Sequence, residues 1–108
     1  MLETELLKHI KSVLRISTND LGIESEVKML IESAKMDLQT SGIRVTKTND
    51  TGQTVYDDMI VLAISLYCKA NFGFDNPEAD RFYQMYRTIE TALALSTEYK
   101  EVIEWEVN

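Results

Sequence analysis

Paired carboxylates are the first place to look for chemistry in this chain. Asp57 and Asp58 are adjacent and Glu24 and Glu26 lie two apart, and two carboxylates can divide acid and base roles when their surroundings push their proton affinities apart. Both pairs fall at expected helix starts, where the positive end of the helix dipole accounts for them without catalysis. His9 is the single histidine and is expected on the polar, solvated side of its helix; without cysteines or a second histidine nearby it makes no ordinary transition-metal site. Cys68 is the single cysteine, so neither an intrachain disulfide nor a cysteine-based zinc cluster is available. It lies in the apolar run 59–68, where a small buried hydrophobe is the usual role. No Ser, His and Asp spacing forms a nucleophile elbow, and no Gly-rich turn opens a helix to cradle phosphate. Tyr67, Phe72, Phe74, Phe82, Tyr83 and Tyr86 could stack on bases, but stacking platforms come with basic grooves and these rings follow helical core faces. The residues therefore predict no enzyme, no cofactor and no metal.

The elements that would carry these side chains are mainly helical. Leu6, Ile10, Val13 and Leu14 form an apolar stripe over about residues 4–15. The polar cluster 17–20 ends it, and a loop follows through Gly22. Val27, Leu30, Ile31, Ala34 and Leu38 mark a second helix over about residues 24–40, with Gly42 as its stop. Residues 43–54 read as a long loop or a loop with one short strand, and Thr54 as the cap of a third helix over about residues 55–72. Asp58, Ser65 and Lys69 share one narrow sector of that helix while apolar residues fill the rest, so it should be the central element, packed on several sides or covered in part by a second subunit. Asn76 and Pro77 predict a capped fourth helix from Pro77 to about Leu95, with Phe82, Met85, Tyr86, Ile89 and Leu93 buried and Glu78 pairing with Arg81.

From Ile103 onward apolar and acidic residues alternate with period two, as in a strand. Such a strand must pair with residues 43–47, pair with another chain, or fray. Tyr99, Val102, Ile103, Trp105 and Val107 are the expected partner contacts, Trp105 foremost, with a tail folded over its own core as the equal alternative. The expectation is an all-α bundle of about four helices, a body of residues 1–98 with an arm of 99–108.

Length and charge bound the functions. The 108 residues suffice for one core. Eleven Lys and Arg against 18 Asp and Glu give a net charge of -7, which opposes binding to a phosphate backbone. The apolar run 59–68 is too short to span a bilayer, and Glu3 and Glu5 do not fit a secretory leader.

The segment Lys69-Ala-Asn-Phe-Gly-Phe-Asp-Asn-Pro-Glu-Ala-Asp-Arg-Phe82, continued by Tyr86-Arg87 and Leu93-Ala-Leu-Ser-Thr-Glu-Tyr99, closely resembles the small head-tail connector (DNA packaging) proteins of tailed phages and prophages of Gram-positive bacteria. Leu14-Arg15-Ile16 and Ala34-Lys-Met-Asp-Leu38 add to the likeness, which spans about residues 6–99. Two features depart from it: Ser17 stands where many relatives are acidic, and residues 43–54 follow no family pattern.

The resemblance implies about four helices, an oligomeric ring of this chain beneath the portal, contact with the next head-completion or tail protein, and DNA passing without sequence-specific binding. It places the chain at the head-tail junction of the virion, in the host cytoplasm before assembly, with no membrane and no cofactor. A small regulatory module using residues 101–107 as a recognition strand is the alternative from another class.

Overall fold

The computed structural model describes residues 1–73 and 75–101. Four helices carry the architecture: α1 (Glu3–Val13), α2 (Leu21–Thr40), α3 (Asp58–Asn71) and α4 (Ala79–Leu95). A two-residue hairpin, β1 (Lys47–Thr48) and β2 (Thr54–Val55), lies between α2 and α3, and a 3₁₀ turn at Thr97–Tyr99 follows α4. The protein is a small all-α bundle with α3 in the middle, packed against α4, α2 and α1. Apolar residues on nearly every side of α3 dictate that position, since each exposed face would leave surface unburied. Ile60, Ala63, Ile64, Leu66 and Cys68 are buried there with Ile10, Val27, Leu38, Tyr86 and Leu93 from the surrounding helices.

Helix limits follow from capping. Asp20 accepts hydrogen bonds from the N–H groups of Gly22 and Ile23 at 2.8 and 3.1 Å. α2 therefore begins at Leu21 instead of near residue 24, because the polar cluster expected to form a loop supplies the cap. Gly42 does stop this helix, at a φ of 80° that suits glycine. α1 ends on a residue less suited to a left-handed turn, since Arg15 takes a φ of 60° while the Ile16 N–H reaches back to the Lys11 carbonyl at 2.9 Å.

Thr54 does not cap α3. Asp57 does, accepting from the Ile60 N–H at 3.1 Å, while Thr54 and Val55 extend into β2 opposite Thr48 and Lys47. Asn49 closes the hairpin by accepting from the N–H groups of Thr51 and Gln53. The start of the chain adds to this ladder: Leu2 bridges to Val55, and Met1 and Tyr56 exchange backbone bonds of 2.7 and 2.8 Å. What reads as a long loop in the sequence is thus partly a ladder that pins the first residues to the start of α3.

α4 begins at Ala79, two residues after Pro77. Asn76 acts as a clip rather than the helix cap: its Oδ1 accepts from the Glu78 N–H at 3.1 Å, and its Nδ2 donates to the Lys69 carbonyl at 2.6 Å. Two burial expectations also change, those for Met85 and Ser65. Met85 is 45% exposed, and Glu90, for which nothing was expected, takes a place on the buried face at 3%. Ser65, expected on the polar sector of α3, is buried and donates to the Val61 carbonyl at 2.7 Å, which satisfies its hydroxyl without water.

Candidate assembly surfaces

The buried polar groups concentrate where α2 meets α4. The Tyr86 hydroxyl donates to Asp37 at 2.5 Å, and Ser41 donates to Glu90 at 3.0 Å. Arg87, half exposed, reaches in to pair with Glu90. Burial pushes the Glu90 carboxyl above its ordinary range, and the facing Asp37 carboxylate, which gains a donor when Glu90 is protonated, pushes the same way. Burial likewise raises the Tyr86 phenol, reinforced by its bond to Asp37. A buried carboxyl with raised proton affinity facing a second carboxylate is a pattern that acid and base pairs use. Here each is consumed by an internal partner, so the arrangement ties two helices together.

A second polar cluster joins α1, α2 and the residue before Asp57. The Tyr56 hydroxyl donates to Glu3 at 2.5 Å, while Lys35 donates to Glu32 at 3.0 Å and Glu3 at 3.3 Å with its ammonium 5.2 Å from the Tyr56 ring centre. Burial works against the Lys35 charge, but these partners outweigh it and raise the amine above its usual range. This cluster also has its bonds directed inward.

The groups singled out by type occupy ordinary positions. Asp57 caps α3, and Glu24 pairs with Lys28 at 3.7 Å and Lys11 at 4.0 Å. Cys68 is fully buried, and burial pushes its thiol up to about 12, away from nucleophilic use. His9 is half-buried instead of solvated, because α1 sets it into a groove against α3. Among the described residues no group of three or more His, Cys, Asp or Glu side chains is placed to hold a metal ion.

Of the expected partner contacts, Tyr99 packs against the core, and the Asp57 carboxylate beside its hydroxyl holds the phenol up to about 12. Val102, Ile103, Trp105 and Val107 lie outside the described residues. The root of the arm is ordered by the body: Lys100 bridges antiparallel to Ile43, Arg44 N–H donates to the Tyr99 carbonyl at 2.6 Å, and Glu101 N–H donates to the Gly42 carbonyl at 3.1 Å.

What remains unspent is apolar surface. Leu21 and Leu95 are each 81% exposed, Met29 and Met36 stand out from α2 seven residues apart on one face, and Met59 and Leu62 from α3 at 40% and 42%. Sequence reading missed most of these because each lies within an apolar or amphipathic pattern that also fits a core.

A family model for the phage connector protein matches residues 6–100. The chain belongs to the phage connector protein family. No curated protein and no solved structure matches it. This is a structural family, so the connector works as a component of a phage particle assembled with other virion proteins. No helix among the described residues is long and apolar enough to cross a membrane.

The segment 69–99 that carries the resemblance has a clear structural role in the connector. It is the end of α3, the turn and all of α4, held by the Asn76 clip and by Gly73 at a φ of 83°. Phe82 packs beneath two cations, the Lys69 ammonium and the Arg81 guanidinium, each 5.1 Å from its ring centre. Phe74 lies outside the described residues.

Proposed function

We infer that this connector forms an oligomeric ring beneath the portal at the capsid vertex and completes the DNA-filled head for tail joining. The family match over residues 6–100 carries this reading. The distribution of surface supports it: catalytic residue types are bonded inward, while large apolar side chains on α2, α3 and α4 face outward, as subunit contacts require. The helical body, residues 1–98, supplies the ring wall, and residues 99–108 act as its arm, with Trp105 as an anchor for a neighbouring protein. The chain contacts the portal on one side of the ring and the next head-completion or tail protein on the other. DNA crosses the lumen without sequence-specific binding, because a net charge of -7 repels the phosphate backbone. The site of action is the head-tail junction of the virion, reached from the host cytoplasm.

Deleting the gene from an inducible phage tests the reading. Packaged heads without tails should accumulate, and electron microscopy of complemented particles should find the tagged chain at the portal vertex. Infectious, tailed particles from the deletion strain would overturn it.

A further inference from the structure

One surface of this acidic molecule is basic, and it is built on α1. Residues 6–19 carry three bases, Lys8, Lys11 and Arg15, and no acid, in a chain with 18 acidic residues. Thr4, Lys8, Lys11 and Ser12 share about 100° of the helix circumference, on the side opposite buried Leu6 and Ile10. With Ser17 and Asn19 from the turn that follows, they line a groove of about 450 Å³ whose lining, among the described residues, holds no carboxylate. Its apolar members, Leu7 and Ile16, are half-buried against the core.

The charges of this stripe are largely unspent. Lys8 and Arg15 are exposed and form no ion pair among the described residues, whereas Lys28, Lys35, Arg81 and Arg87 each hold an acidic partner. Lys11 comes only within 4.0 Å of Glu24, a carboxylate that Lys28 shares at 3.7 Å. Past the end of α1 a hollow of about 320 Å³ joins Arg15 to a further cation, Lys69; the acid in its lining, Glu78, is bound to Arg81 at 2.8 Å.

α1 also lacks what the other helices display. Their exposed large apolar side chains, from Leu21 and Met29 to Met85 and Leu95, lie on α2, α3 and α4, and among the described residues α1 has none. Protein interfaces are anchored by large side chains that become buried on contact. Phosphate backbones are held by Lys, Arg, Ser, Thr and Asn side chains. The α1 face has the second set without the first.

We propose that the α1 face lines the channel and touches the phosphate backbone of the passing DNA through Lys8, Lys11 and Arg15, with the hydroxyl and amide side chains between them as neutral donors. The proposal rests on the ring reading above and says which side of the subunit turns inward. From Thr4 to Arg15 the row is about 16 Å long, and duplex DNA carries about one charge per 1.7 Å of its axis, so each subunit meets several phosphates. Such contacts carry no sequence information. Three cations on a subunit of net charge -7 keep each contact weak, so the DNA is touched without being held.

Particles are assembled from full-length chain in which Ser12 is replaced by a benzophenone-bearing amino acid, and are then irradiated. Crosslinking to packaged DNA should be several-fold greater than with the same group in place of Met36 on α2. Adding Lys8→Gln, Lys11→Gln and Arg15→Gly should lower the Ser12 yield several-fold, with the parent's helical spectrum, melting no lower, and normal incorporation into particles; glycine suits the φ of 60° at position 15. Lys8→Gln with Arg15→Gly, which spares Lys11 beside Glu24, should give an intermediate yield and decides the question if the triple substitution costs the fold. Equal DNA yields from positions 12 and 36, or an unchanged yield in the substituted chains, would overturn the proposal. So would crosslinking from position 12 to a virion protein in place of DNA, or loss of a folded variant from particles, since either assigns the stripe to an acidic protein neighbour. Absence of the unaltered chain from particles would instead overturn the connector reading itself.

Discussion

The two flanks of α3 solve opposite problems with one helix. Toward α2 and α4 it is closely packed, with Ile64 and Cys68 fully buried, and α2 and α4 are tied to each other through Tyr86, Asp37, Ser41, Glu90 and Arg87. Toward α1 it leaves Leu62 partly in solvent above an open groove. A helix that is apolar nearly all round is thus no proof of complete burial within one chain. The closed flank sets the fold of the chain, and the open flank leaves apolar surface uncovered.

Substitutions on the two flanks should therefore separate stability from assembly. Ile64→Ala, on the closed flank, should cost about 2–5 kcal/mol in urea unfolding by leaving a cavity, whereas Leu62→Ala, partly exposed, should cost less than about 1 kcal/mol. Equal losses would erase the distinction. Tyr86→Phe should cost about 1–3 kcal/mol, since it strips the donor from Asp37 without changing the packing shape; double-mutant unfolding with Asp37→Asn should show the two effects to be non-additive.

Glu90 sharpens the comparison through pH. Its carboxyl binds a proton more tightly folded than unfolded, so its contribution is fully present below the ordinary value of 4.5 and is lost as pH rises through the raised folded value. Glu90→Gln should remove that loss, and parallel urea titrations from acid to neutral pH should show the variant gaining on the parent. A constant difference would place Glu90 in a solvated setting after all. The smallest effect belongs to α1, where Arg15→Gly relieves a left-handed backbone and should stabilise by about 0.4–1 kcal/mol, read as a small rise in Tm.

Periodicity made the closed flank legible in outline. Four helices, the central place of α3 and the stop at Gly42 follow from apolar spacing and from the one conformation glycine takes easily. Glu90 was not legible, although it lies four residues after Tyr86 and three before Leu93 on the same face. A buried carboxylate needs partners, and Ser41 is forty-nine residues away in the chain. The hairpin escaped for another reason: its strands have two residues each, too short for alternation, and they are fixed by Asn49 and by the pairing of Leu2 with Val55. The family was legible from residues 69–99, whereas the openness of the α1 flank was not, because exposure of Leu62 depends on how closely another helix packs against α3.

The short ladder at the root of the arm has a mechanical consequence. Arg44 and Gly42 hold the backbone on both sides of Lys100, and the Arg44 Nη2 donates to the Glu98 carbonyl at 2.9 Å. Tension along the arm would load these three bonds together in shear, and would be delivered to the end of α2 and through Ser41 to Glu90 on α4. A sideways peel would open them one at a time. The same clamp can therefore bear load along one axis and release along another.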